Sequence, residues 1–124
     1  MIFMLTIEQY ENRKEALEGA SMVTIWENIH PDSLSGKISL SFNDEKELFL
    51  WFIERLMNEG KVKLGSGGML LTGTVKEQVD KFRASFPNTP EEMEYGAFNG
   101  YWFLSDACPA GLVWIHESGY KDWT

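Results

Sequence analysis

Residues 61–74, KVKLGSGGMLLTGT, pose a choice between two architectures, because a glycine-rich loop ahead of a helix start is either a phosphate cradle or the tip of an antiparallel hairpin. The phosphate reading fails on spacing. Gly65 and Gly67 match the first two glycines of Gly-x-Gly-x-x-Gly, but Leu70 holds the third position. Gly68 to Gly73 has the spacing of a P-loop, yet Thr74 and Val75 stand where a lysine and a hydroxyl must follow to reach phosphate and metal. The hairpin reading uses more of the residues: Gly65 to Gly68 form a flexible tip joining KVKL to MLLT, with Val62 facing Leu71 and Leu64 facing Met69 on the buried side.

Upstream, Thr6 with Gln9 makes a capping box and Gly19 a stop, so residues 7–18 read as a first helix. Ser21 caps a second helix with Met22, Ile25, Trp26 and Ile29 on one face, ended by Pro31. Ile38, Leu40 and Phe42 alternate with polar residues as a short strand or extended connection would. A core helix runs from Asp44 or Glu45 to Glu59, with a cap-like Asp44/Glu47 pair, an apolar face through Leu48, Phe49, Phe52, Ile53 and Leu56, and Gly60 as terminator. Downstream, Thr74 and Glu77 open a helix striped by Val75, Val79, Phe82 and Phe86, and Thr89, Pro90 and Glu92 begin a shorter one. YWFLSDA and LVWIHE then read as two strands joined by CPAG, with Ala107 facing Leu112 and both faces largely apolar. The expectation is one α+β domain over residues 1–124, four to five helices packed on a small antiparallel sheet.

With 124 residues, 44% hydrophobic and 24% charged, the chain has the size and composition of one globular domain. Its net charge of −8 argues against nucleic acid or an anionic membrane as partner and for a basic protein. Residues 61–83 alone are locally basic, through Lys61, Lys63, Lys76, Lys81 and Arg83. The single cysteine, Cys108, agrees with a reducing compartment. MIFML is too short and uncharged for a signal peptide, and the longest apolar run, Leu48 to Ile53, is far short of a membrane span. A cytoplasmic location is expected.

The positive functional signal is acidic. Glu8, Glu11, Glu15 and Glu18 recur at intervals of three, four and three along one ridge of the first helix. Glu11 and Glu15 repel by about 0.2–0.5 kcal/mol, offset in part by Lys14 lying within reach of Glu11 and Glu18. A solvated face explains such a ridge; a docking surface for a basic protein, aided by Trp102 and Trp114 of the C-terminal hairpin, is the functional expectation. Glu91, Glu92 and Glu94 form a second acid group, as a helix start favours. Cys108 and His116 make no dyad, since extended chain would hold them roughly 26 Å apart, and no third group in sequence orients His30 or His116. No metal spacing, cofactor loop or catalytic residue is assigned. Three alternatives to the binding module remain: a small hydrolase or transferase using carboxylates and His30 or His116, a winged-helix-like nucleic-acid binder, and a homodimer formed through the two-faced hairpin.

The segments LFLWFIERLMNEGKVKL, TVKEQVDKFRASFP and EEMEYGAFNGYWFLSDACPAGLVWI together resemble the small bacterial proteins grouped as domain of unknown function 596, over most of the chain. The resemblance rests on hydrophobic and glycine positions. It implies a bacterial, cytoplasmic, single-domain protein and supplies no functional residues. Families of this size are in some cases encoded beside secreted toxins, which by analogy would make this chain an immunity protein neutralising a basic toxin.

Overall fold

The computed structural model describes residues 5–29, 41–95 and 98–124. Along these the chain forms α1 (Ile7–Ala16), α2 (Met22–Asn28), α3 (Phe42–Asn58), β1 (Val62–Ser66), β2 (Met69–Leu70), α4 (Val75–Ser85) and α5 (Pro90–Met93). There follow β3 (Glu94–Tyr95), β4 (Phe98–Asn99), a 3₁₀ turn (Tyr101–Leu104), β5 (Gly111–Ile115) and β6 (Lys121–Trp123). Each of the five helices starts where a hydroxyl accepts the backbone N–H three residues on: Thr6 from Gln9, Ser21 from Thr24, Ser41 from Asp44, Thr74 from Glu77 and Thr89 from Glu92. The α+β class is therefore the observed one.

The four-stranded sheet has the order β2-β1-β5-β6 with every pairing antiparallel, and β3 pairs with β4 in a separate two-stranded ribbon. Apart from Val113, the buried apolar side chains among the described residues form one contiguous cluster. Trp26 of α2 stands among Phe42, Phe49, Phe86 and Phe103 at centroid distances of 5.8, 5.8, 5.6 and 6.1 Å. Trp102 continues this group, 5.1 Å from Phe86 and 5.6 Å from Phe82. These rings, each burying a large area, make up the middle of the core.

Several expectations are revised. The α1 helix stops at Ala16, so Glu18 lies in the turn beyond it, where Gly19 adopts φ +84°. Ser41, not Asp44, caps α3, and Phe42 enters its first turn as a helical residue; Ile38 and Leu40, like His30 and Pro31, lie outside the described residues. The β1–β2 tip is two glycines, Gly67 and Gly68 at φ +61° and +82°, as a type I′ turn requires. The backbone of Leu71 then donates to Leu64 at 2.8 Å, Val62 pairs with Trp114 of β5, and Met69 is 74% exposed instead of buried.

The largest revision is at 101–107. This run is not a strand, and no Ala107–Leu112 pairing exists. Gly100 turns the chain at φ +102°, and the amide and hydroxyl of Ser105 both donate to the Trp102 carbonyl, at 3.0 and 2.7 Å. The aromatic run satisfies its burial by packing against α4 and α3 in place of a sheet neighbour, so tertiary contact overrides β-propensity. The partners of β5 are β1, with Leu64 opposite Leu112, and β6, with Trp114 opposite Asp122. As a central strand, β5 buries Leu112, Val113 and Trp114 in succession and so covers both faces.

Candidate functional site

The inward face of α1 carries Tyr10 and Arg13, with Leu17 just beyond, all buried; Glu8, Glu11, Glu15 and Glu18 are all exposed. Three of these acids, Glu11, Glu15 and Glu18, form one wall of a cleft of about 750 Å³. The end of α3 contributes Glu59, the following turn Lys61, and the end of β5 with its turn His116 and Glu117. Five carboxylates thus face two cations, Lys14 and Lys61. Glu8 is exposed but stands outside the cleft lining.

The back of this wall is braced by charge. Lys14 Nζ sits 2.9 Å from Glu11 and 3.0 Å from Glu59, so its second partner is Glu59 and not Glu18. Hydrogen bonding to Glu11, then to Glu59, holds the Lys14 ammonium above its ordinary pKa despite some burial. Burial would raise the Glu59 carboxyl, but Lys14, the nearby Tyr10 hydroxyl and Arg55 outweigh it and hold it below its ordinary range. The Tyr10 phenol is pushed up by burial first and by Glu59 second, and its hydroxyl makes no hydrogen bond of good geometry. The Arg55 guanidinium lies 4.3 Å from the Tyr10 ring centroid, a cation–π contact that fixes the ring. Glu8 and Glu15 have no ion-pair partner among the described residues.

Across the cleft, His116 is placed between two carboxylates. Its Nε2 lies 3.3 Å from Asp122 of β6 and its Nδ1 3.7 Å from Glu18. The imidazole stacks on Tyr120 at 5.8 Å with an interplanar angle of 27°. These orienting groups were missed in the sequence because Glu18 is far from His116 along the chain, and Asp122 belongs to a strand of only three residues. Among the described residues no group of three or more His, Cys, Asp or Glu side chains is arranged to hold a metal ion.

Trp102 and Trp114, expected as contact residues, are buried to 6% and 2% exposure and cannot meet a partner in this conformation. Trp114 instead ties the fold together, since its indole N–H donates to the Ala20 carbonyl at 2.8 Å and pins β5 to the α1–α2 turn. Tyr120, 64% exposed and stacked on His116, is the aromatic side chain available beside the cleft. Cys108 is half-buried, lines a different hollow from His116 and donates to the Ala110 carbonyl at 3.2 Å; burial raises its thiol pKa. Of the basic band, Arg83 is held by Glu47 at 3.1 Å and Asp80 at 2.9 Å, and Lys76 by Asp80 at 2.9 Å. The helix ahead of the hairpin, α3, packs against α4 and β1 and buries seven residues.

No helix among the described residues is long and apolar enough to cross a membrane. No curated protein matches the chain. Among solved structures, an uncharacterised protein conserved in bacteria, from Neisseria meningitidis, is similar in fold: TM-score 0.73 at 24% identity, covering 94% of this chain and 87% of that one. The profile of one family matches residues 57–124, a narrower span than the resemblance implied, beginning at the last turn of α3 and including His116 and Asp122 but not α1. The chain belongs to that family, described as protein of unknown function, DUF596.

Proposed function

We propose that this chain is a non-enzymatic binding module whose acid-lined cleft receives a cationic segment of a partner protein. One observation carries the reading: Glu11 and Glu15 of α1, with Glu18 of the turn after it, are not scattered over a solvated face but wall a cleft that holds five carboxylates and two lysines. A concave site concentrates the field of its charges, so a lysine or arginine entering it gains more than it would on a flat acidic surface. Tyr120, exposed and stacked on the cleft residue His116, offers its other ring face for a guanidinium to stack on. A cytoplasmic immunity protein that captures a basic toxin is the specific form of this reading, drawn by analogy with families of similar size.

Reversal of charge at Glu11 and Glu15 tests it. Capture of basic proteins from a lysate of the source cell should fall by about tenfold or more, and the remaining binding should lose much of its salt sensitivity. Capture that is unchanged in both respects would remove the cleft from the account.

A hydrolase or transferase is the second reading, and the Asp122–His116 pair is the observation in its favour. Against it, the second imidazole nitrogen also faces a carboxylate, Glu18, which occupies the direction a substrate proton would need.

A further inference from the structure

The geometry points to His116 as a pH-dependent gate on this cleft, an inference that rests on the docking function proposed above: neutral imidazole leaves the cleft acidic, and imidazolium bridges Glu18 to Asp122 and lowers the cleft's affinity for cations. The argument starts from the two ring nitrogens. A neutral imidazole carries one N–H and one lone pair. With the proton on Nε2, it donates to Asp122 at 3.3 Å, and the Nδ1 lone pair then points toward the Glu18 carboxylate at 3.7 Å. Lone pair and carboxylate repel. A second proton turns that repulsion into attraction and lets one ring hold carboxylates from two elements, the turn after α1 and strand β6. The carboxylate-histidine-carboxylate arrangement therefore favours closure of this end of the cleft when charged.

The surrounding charges do not supply that function by other means. On the α1 side the cleft holds Glu11, Lys14, Glu15 and Glu18; at the end of α3 and the turn after it, Glu59 and Lys61; on the turn after β5, Glu117. Lys14 is committed to Glu11 and Glu59. In β6, Lys121 is exposed beside Asp122, and Tyr120, just ahead of that strand, stacks on the His116 ring. Histidine is the side chain that ordinarily changes charge between about pH 8 and about pH 5.5, and the chain has only two, His30 and His116. One added positive charge offsets an appreciable part of a site with five acids and two bases. At separations of about 5–8 Å in a partly wet cleft, such a charge weakens binding of a cation by about three- to tenfold.

The test uses a fluorescein-labelled oligolysine peptide, whose own charge is constant over this range, titrated at fixed ionic strength at about pH 8 and about pH 5.5. The wild-type protein should bind about three- to tenfold more weakly at the lower pH, His30→Gln should behave the same way, and His116→Gln should show no such fall. Independently of any peptide, the carboxyl-carbon NMR resonances of Glu18 and Asp122 in the wild-type protein should move together with the His116 imidazole. An equal fall in His116→Gln, or carboxyl resonances that ignore the imidazole, would overturn the gate. If the peptide fails to bind at about pH 8 while the resonances still move together, the docking function is lost but the bridge between Glu18, His116 and Asp122 stands.

Discussion

Gly65 shows how one missing side chain can shape a surface. A Cβ built on it would lie 2.6 Å from Cζ3 of Trp123 and 2.8 Å from Cη2, well inside contact distance, so the indole rests where only glycine leaves room. Gly111, paired with Gly65 across β1 and β5, lines the same hollow as Gly65 and Trp123. We expect Gly65→Ala to destabilise the protein by about 1–3 kcal/mol, as overpacking does, measured as a lower denaturant midpoint. In a Trp123→Ala background the same change should cost much less, because the clash is gone. Equal costs in both backgrounds would show that the trough does not seat the indole. Nothing in KVKLGSGG indicates this, since the ring that needs the space comes from the far end of the chain; local sequence makes Gly65 a flexible tip residue, and the structure makes it a paired strand residue.

At the scale of single elements, the helices were legible because their causes are local. Thr6 and Gln9 cap each other across three residues, at 3.1 and 2.9 Å, and both are visible in a short window of sequence. Replacing Thr6 by alanine should cost about 1 kcal/mol, with serine restoring most of it. Chemical denaturation measures the cost, and amide exchange in the first turn of α1 shows where it falls; an unaltered midpoint would mean that packing of Tyr10 alone holds the helix. The strands were harder to read because their causes are remote. YWFLSDA has every local mark of a strand, yet Trp102 and Phe103 are drawn to Phe86 and Phe49 and curl into a 3₁₀ turn. Conversely, KDW is too short and polar to announce itself, and it is a strand because β5 offers it a free edge. The acid ridge is visible in sequence as a helix face; that Glu11, Glu15 and Glu18 wall a cleft, and that His116, held by Asp122, stands across it, follows from the pairing of β5 with β1 and β6 and had no local signature.

For the molecule as a whole, the Glu59 network links stability to pH. Its carboxyl is depressed in the folded state, so the charged form contributes stability above the ordinary carboxylate range, and that contribution is lost as pH falls through the folded value. Wild-type protein should therefore lose more stability than Glu59→Gln on acidification from about pH 6 to below about pH 4. The variant should start lower at neutral pH, where Lys14 and Arg55 lose a partner. Parallel stability curves across that range would refute the linkage.

The sheet order has a temporal consequence. Residues 62–65 pair with 111–114, so the central ladder joins segments separated by two helices and a second small ribbon. During synthesis β1 emerges with only the two-residue β2 to pair with, and its other edge waits, unsatisfied, until β5 has cleared the ribosome. Nascent chains halted before that point should expose Val62 and Leu64 to one another's copies and be the species most prone to aggregate.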